Sequence, residues 1–310
     1  RNLRSFDPIP DWLKGRDEPT EDAINDYYNW LIDTHGEVMV QHTIVYICST
    51  PLGVPEDVLL ELLRKDGQVF GAFKERSPNS PDVDELPEIV WSRLYHDLEH
   101  FLTRRSFYNE QYLGFYHEEF RRVIEKVEKN SNDWLCSIHT CRKRIESLAN
   151  DWGGMLTSPL RTFLFRHATS NAIRLGEYGI DRTSSRLTNF GYLMARLDDL
   201  PPEEASELIA EYRLLDPRVK INHDSYISWT DWSSFMQSHS HLLFCGDELW
   251  PTYKILLQIA VECEGDDNMI SNEAEKWLKE GNCDWTWWRS LKGSDESARV
   301  FKGPEVDVNI

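Results

Sequence analysis

No run of about 18 apolar residues occurs in this 310-residue sequence, so no segment reads as a membrane-spanning helix. No secretory signal is visible either. A Gly-x-x-x-x-Gly-Lys-Ser/Thr phosphate loop is missing, as are a Gly-x-Gly-x-x-Gly turn and a Gly-x-Ser-x-Gly elbow. Gly153-Gly154 lacks the following lysine. The chain is therefore not expected to hold a nucleotide by itself or to carry a serine hydrolase centre. Positive charge is scarce: 34 Lys and Arg stand against 53 Asp and Glu, for a net charge of −19. Such a surface repels phosphate backbones and argues against a general nucleic-acid role. The six cysteines, at 48, 136, 141, 245, 263 and 283, form no paired metal spacing. They read as reduced thiols, several of them buried.

What is present is core material. Hydrophobic residues make up 40% of the chain and aromatics 12%, with 12 tryptophans. Large aromatics fill cores and interfaces, so thick helix–helix packing is expected. The length suits two or three compact domains of ~100–150 residues each. The opening Arg1-Asn2-Leu3-Arg4 reads as the tail of a helix, and Val306 to Ile310 as a strand cut short. The sequence is expected to be a piece excised from a longer, cytoplasmic protein.

A helix is expected from about Thr20 to Thr34, with Thr20 as N-cap, Glu21 and Asp22 in the first turn, and Ile24, Tyr27, Tyr28 and Leu31 as the apolar stripe. Glu37 to Cys48 reads as a helix, Pro51 to Pro55 as a loop, and Pro55 to Leu63 as a second helix with Pro55 at its first position. A polar loop is expected from Lys74 to Pro87, and a helix from Val90 to Phe101 with stripe Val90, Leu94, Leu98. A short strand pair follows Leu102 to Arg105, turning near Asn109-Glu110, with its second strand at Tyr112–Tyr116. A helix from His117 to Glu128 closes the unit. Three helices and a hairpin are the order of a winged helix. Beyond it, helical segments are expected near 134–151, 159–175, 187–197, 202–214, 221–243, 250–261 and 271–280, with no fixed-period repeat.

Four sets of residues carry possible chemistry. His96 and His100 stand four apart on one expected helix, a spacing that can place two imidazoles on a metal, although the His-Glu-x-x-His order is absent. Cys136, His139 and Cys141 cluster three possible ligands where a closed zinc site takes four. His239 and His241 are a further pair. For all three sets, helix-face or packing side chains are the preferred reading, and no metal is expected. His117 is different. It falls where a strand hands over to a helix, beside free helix N–H groups suited to touching a phosphate. The ordinary alternative there is a capping or packing histidine.

Val83 to Arg104 (VDELPEIVWSRLYHDLEHFLTR) resembles the winged-helix part of NACHT-type STAND ATPases, of the kind carrying WD repeats. Gly114 to Ile124 (GFYHEEFRRVI) is similar to the pattern that follows it in that family. Leu187–Leu197 and Leu249–Glu262 resemble the helical arm after the winged helix. Cys283–Gly293 resembles the run-up to a first WD repeat.

The resemblance implies a mainly α fold with a winged helix, a small β-hairpin and a helical arm. The implied division is 1–36 as a helical remnant of the ATPase module, 37–128 as the winged helix, 129–292 as the arm, and 293–310 as the start of a sensor region. It implies that His117 faces the ADP phosphates and helps hold a closed state. Glu118 stands where the family often has Arg. Partners would be an upstream nucleotide-binding domain and a downstream sensor of the same chain, with oligomers of the parent on activation. ADP or ATP with Mg belongs to the parent, and no cofactor to this piece. The expected role is non-catalytic and regulatory, in a switch of the innate-immune or antiphage type. The alternatives are a stand-alone metal-dependent hydrolase and a winged-helix DNA-binding protein. Against the second, the helix from Glu56 to Lys65 sets Glu56, Asp57 and Glu61 against only Arg64 and Lys65. Trp229, Trp232, Trp250, Trp277, Trp285, Trp287 and Trp288 read either as core or as interface anchors.

Overall fold

The computed structural model describes residues 21–78, 83–116, 122, 137–154, 158–219, 223–263, 268–290 and 298–301. The fold is mainly α with a small antiparallel sheet. Two compact units divide the chain, 1–145 and 146–310.

In the first unit, α1 (Glu21–His35) buries Ile24, Tyr27, Tyr28 and Leu31, the stripe at three-and-four spacing. Gly36 links it to α2 (Glu37–Ser49), which is buried continuously from Met39 to Ser49 and so forms the centre of this unit. The chain then turns through Gly53 into β1 (Val54–Pro55), enters α3 (Glu56–Lys65), and passes through the single residue Asp66 into α4 (Gly67–Arg76). Next come α5 (Glu88–Leu98), a 3-10 turn over Glu99–Phe101, and the hairpin β2 (Leu102–Phe107) and β3 (Glu110–Phe115). Tyr108 and Asn109, at φ 51° and 59°, supply the two left-handed residues of a tight hairpin turn.

The sheet order is β1-β3-β2, with Val54 opposite Leu113 and Leu102 opposite Phe115. The central strand β3 buries adjacent residues Tyr112 and Leu113, one on each face. Edge strand β2 carries exposed Arg104 and Arg105, which discourage further pairing.

Several expectations are corrected here. Val54-Pro55 is a strand rather than part of a loop, and Pro55 is the cap of α3 rather than its first residue. The strand ladder already includes Leu102 to Arg105. Helix α4 extends to Arg76 in a region read partly as loop; it starts because the Asp66 side chain accepts a hydrogen bond from the Gln68 amide at 3.1 Å. The buried stripe of α5 uses Trp91 in place of Val90.

In the second unit, α6 (Ile138–Asn150), whose residues from Glu146 belong here, leads to α7 (Pro159–Arg174), capped by Ser158, and α8 (Glu177–Leu187). Then follow α9 (Phe190–Asp199), α10 (Ala205–Leu215), α11 (His223–Ser238), the short α12 (Ser240–Leu243), α13 (Thr252–Glu262) and α14 (Met269–Lys279). Strands β4 (Trp287–Ser290) and β5 (Ala298–Phe301) form a second hairpin, which the sequence reading did not contain. Helix α8 was also not anticipated. It carries Gly, Thr and Ser, poor helix formers, yet buries Ile180, Thr183 and Leu187. Its Gly179 approaches α7 so closely that a Cβ there would meet the Ala172 carbonyl oxygen.

Phe165, Phe190, Tyr212 and Trp232 lie at the centre of this unit's core. Arg166 pairs with Glu204 through two hydrogen bonds of 2.9 Å, and Arg161 with Asp199 at 2.8 Å. Trp229 and Trp232 are core residues, whereas Trp250 and Trp288 are 42% and 46% exposed. Trp229 and Trp232 thus follow the core reading. Among the described residues no helix is long and apolar enough to cross a membrane.

Candidate functional site

The residues singled out by sequence are not drawn into one place. His117 lies outside the described residues, as does Cys136. His96 is on α5, 3.9 Å from Glu99, while His100 is exposed on the 3-10 turn after the helix has ended, so the two do not share one α-helical face. His139 is exposed and Cys141 is fully buried, so these two point to different environments. The His239 ring packs against Phe235 at 4.8 Å, with Nδ1 2.9 Å from the Phe235 carbonyl oxygen, and His241 is exposed. Among the described residues no group of three or more His, Cys, Asp or Glu side chains is placed to hold a metal ion.

Two arrangements in the first unit were not singled out by sequence. The first is a buried polar cluster around Asp66. Helix α2 is surrounded by core, so its polar side chains need internal partners. His42 Nδ1 lies 2.7 Å from Asp66 Oδ2, and Tyr46 donates to the same oxygen at 2.9 Å. Arg144 on α6 also donates to it, and reaches Gln68 Oε1 at 2.7 Å with its other nitrogen. Burial pushes the Asp66 carboxyl upward. The bonds and charges of His42, Arg144 and Tyr46 outweigh burial and hold it below its ordinary value. Burial drives the Tyr46 hydroxyl far up, so it remains a donor. His42, Tyr46 and Asp66 are buried, while Arg144 and Gln68 carry the network to the surface, so the cluster ties α2, the start of α4 and α6 together.

The second is a groove of about 1140 Å³. Its walls come from the α1–α2 junction, α4 and α5, with Met39, Val69, Phe73 and Val90 as apolar surface. His35 Nε2 lies 2.7 Å from Asp97 Oδ2 at its margin. Arg76 donates to the carbonyl oxygens of Thr34 and Asp33, at 3.2 and 3.5 Å, where α1 ends and cations are favoured. Arg93 and His96 also border it. The Thr34 and Ser92 hydroxyls donate to Trp30 and Glu88 carbonyls of their own helices, so neither is aimed at the His35 imidazole as a nucleophile would be. The groove joins a histidine–carboxylate pair, guanidinium groups and exposed Ile89 on one surface, a combination suited to binding. A sequence reading had little to detect it by, because its residues are spread from 34 to 97.

The chain is 32% identical over 106 residues to NACHT domain- and WD repeat-containing protein 1 of Mus musculus, a match covering 34% of this chain and 7% of the relative. It is 29% identical over 107 residues to the Homo sapiens protein of that name, with the same coverage of both. No family model matches the sequence, and no solved structure matches it. Over about a third of its length the chain is thus related to NACHT- and WD-repeat-containing proteins, of whose length the match spans only a small fraction.

Proposed function

We propose that this chain is a regulatory, signal-transmitting part of a STAND-type NTPase switch. Residues 37–128 would act as its winged helix and 129–292 as its helical arm, with 1–36 belonging to the ATPase module and 293–310 opening the sensor. The observation that carries the reading is the relationship to NACHT- and WD-repeat-containing proteins. The ladder of the first unit supports it: β1 lies between the first helices, pairs with β3, and leaves β2 at the edge. In such a switch the nucleotide, ADP or ATP with Mg, is held by an upstream domain. The helical region relays sensor occupancy by packing differently in closed and open states. Ligand-triggered oligomerisation in a cytoplasmic defence response is the corresponding role.

His117 is the proposed nucleotide-sensing residue. It follows Tyr116, whose amide donates to the Phe101 carbonyl at 2.8 Å as the hairpin ends. A charge-assisted hydrogen bond from its imidazole to a phosphate oxygen contributes roughly 1.5–3 kcal/mol. If that bond exists only in the closed state, its loss moves the equilibrium about 10–100-fold toward the open one. The test is His117→Ala in the full-length parent, measuring ADP retention, basal assembly and melting temperature together. Faster ADP loss and trigger-independent assembly are expected. Unchanged ADP affinity with intact autoinhibition would overturn the sensor role.

A further inference from the structure

The second unit contains a cavity of about 710 Å³ that the switch reading does not use. Helix α9 contributes Gly191, Met194, Ala195 and Asp198, one face at three-and-four spacing. Helix α14 contributes Glu273, Lys276 and Trp277 in the same rhythm, and Glu280 follows directly at its C-terminal end. Trp152, Arg161, Tyr253, Asp284 and Trp285 are among the other wall residues. The aromatic rings are braced by one another. Trp277 and Trp285 stand 5.9 Å apart, Tyr253 meets Trp285 edge-on at 5.2 Å, and Phe190 meets Trp277 edge-on at 5.8 Å. Trp152, Tyr253, Trp277 and Trp285 are all half-buried, in contrast to Trp229 and Trp232 of the nearby core.

Electrostatics select the ligand. Asp198, Glu273, Glu280 and Asp284 face two basic side chains, Arg161 and Lys276, and the Arg161 guanidinium is paired with Asp199. Burial holds the Asp198 carboxyl above its ordinary value; the Arg161 guanidinium opposes that, the Asp284 carboxylate adds to it, and the Lys254 ammonium, a third cation beside the cavity, opposes it as well. The Lys254 ammonium lies 5.7 Å over the Trp285 ring and 5.9 Å over Tyr253, so these rings already stabilise one cation. A bare metal ion has no cluster of ligating side chains among the described residues. A cation with an apolar body satisfies both the rings and the carboxylates.

We propose that this cavity binds an alkylated ammonium group, with aromatic faces against its methyl or methylene groups and Asp198, Glu280 and Asp284 supplying the counter-charge. The volume admits more than a single ammonium head and lies in the range of small-ligand pockets. The group can come from a free small-molecule alkylammonium ion or from the end of a modified lysine side chain. The proposal is independent of the switch reading.

The experiment titrates the 310-residue chain calorimetrically with choline, with a peptide carrying trimethyl-lysine, and with 3,3-dimethylbutanol, the neutral isostere of choline. At least one cation is expected to bind saturably with a dissociation constant below about 1 mM, and the isostere about tenfold or more weaker. Binding of choline alone assigns the site to a free quaternary ammonium compound, and binding of the peptide alone to a lysine side chain. A Cβ at Gly191 would stand 3.3 Å from the capping Asn189 Oδ1 and 3.6 and 3.7 Å from the Trp152 and Trp277 rings. Gly191→Leu should therefore fill the cavity and abolish binding. The exposed pair Glu280→Gln and Asp284→Asn should weaken it about tenfold without changing the helical signal. No saturable binding of either cation, equal binding of the isostere, or unchanged binding by the carboxylate variant would each overturn the proposal. The isostere arm stands even if Gly191→Leu does not fold.

Discussion

Arg196 of α9 and Glu211 of α10 face each other through two parallel hydrogen bonds, Nη1 to Oε2 at 2.7 Å and Nη2 to Oε1 at 2.8 Å. Arg196 is fully buried, and Thr169 of α7 donates to the same carboxylate at 2.7 Å. Burial alone would ease the proton from the guanidinium, but Glu211 more than compensates and keeps it charged. One carboxylate therefore holds three helices together. Arg196→Met is expected to cost about 3–5 kcal/mol, because it strands Glu211 without its counter-charge. Adding Glu211→Leu should recover part of that loss, since the apolar pair needs no counter-charge, although the buried Thr169 hydroxyl then loses its acceptor. Urea unfolding of the single and double variants decides it. A single-variant cost below about 1 kcal/mol would place the pair with ordinary surface bridges instead.

His167 gives a pH dependence of definite sign. Burial, with Arg166 and Arg196 adding repulsion, lowers its pKa from 6.5 to about 3. Between those values the unfolded chain takes up a proton that the folded chain does not. Stability from this residue is complete above pH 6.5 and declines on acidification by about 1.4 kcal/mol per unit until the folded group titrates. Unfolding midpoints of the parent should fall from pH 7 to pH 5. In His167→Gln that slope should flatten, and an identical slope in both proteins would contradict the assignment.

Asp66 acts in a lower window. Its carboxyl is depressed in the fold, so its contribution is present above the ordinary value of 3.8 and is lost as pH falls through the folded value. Asp66→Ala should cost about 3–5 kcal/mol at neutral pH by leaving His42 and Arg144 without their shared acceptor. Asp66→Asn should lose less stability than the parent on acidification below about pH 4. Denaturation at a series of pH values measures both.

Gly53 marks the tightest backbone approach in the first unit. At φ 90°, a Cβ there would stand 1.9 Å from the Leu113 carbonyl oxygen of β3. Gly53→Ala is expected to break the pairing of β1 and cost at least about 2 kcal/mol. Gly71, inside α4 with nothing within 4 Å of its Cβ position, should instead gain about 0.4–1 kcal/mol on change to Ala. Amide exchange at Leu113 and thermal melts of both variants provide the readout.

How much of this was legible depended on whether the signal was local. The stripe of α1 could be read because its burial repeats at helical spacing, and the hairpin because two aromatic strands flank a turn. Helix α8 stayed hidden because Gly179, Thr183 and Ser184 disfavour a helix in isolation, and packing against α7 overrides them. Strand β1 stayed hidden because two residues carry no period; it exists only where β3 offers a ladder. Neither the Asp66 cluster nor the groove beside His35 had a motif to betray it.

Residue order and composition alone set the helical class, the acid excess, the β2–β3 hairpin and the resemblance that suggests a switch. Each is set by composition, nearest-neighbour geometry or residue order, which the unfolded chain already possesses. Packing in three dimensions settled which tryptophans became core, as Trp232 did, and which stayed on a cavity wall, as Trp277 did. It alone brought Arg196 to Glu211, and Arg144 to Asp66 across 78 positions of sequence. Those outcomes depend on how helices close over one another, where burial turns an unpaired charge or an unfilled space into a cost that local sequence does not express.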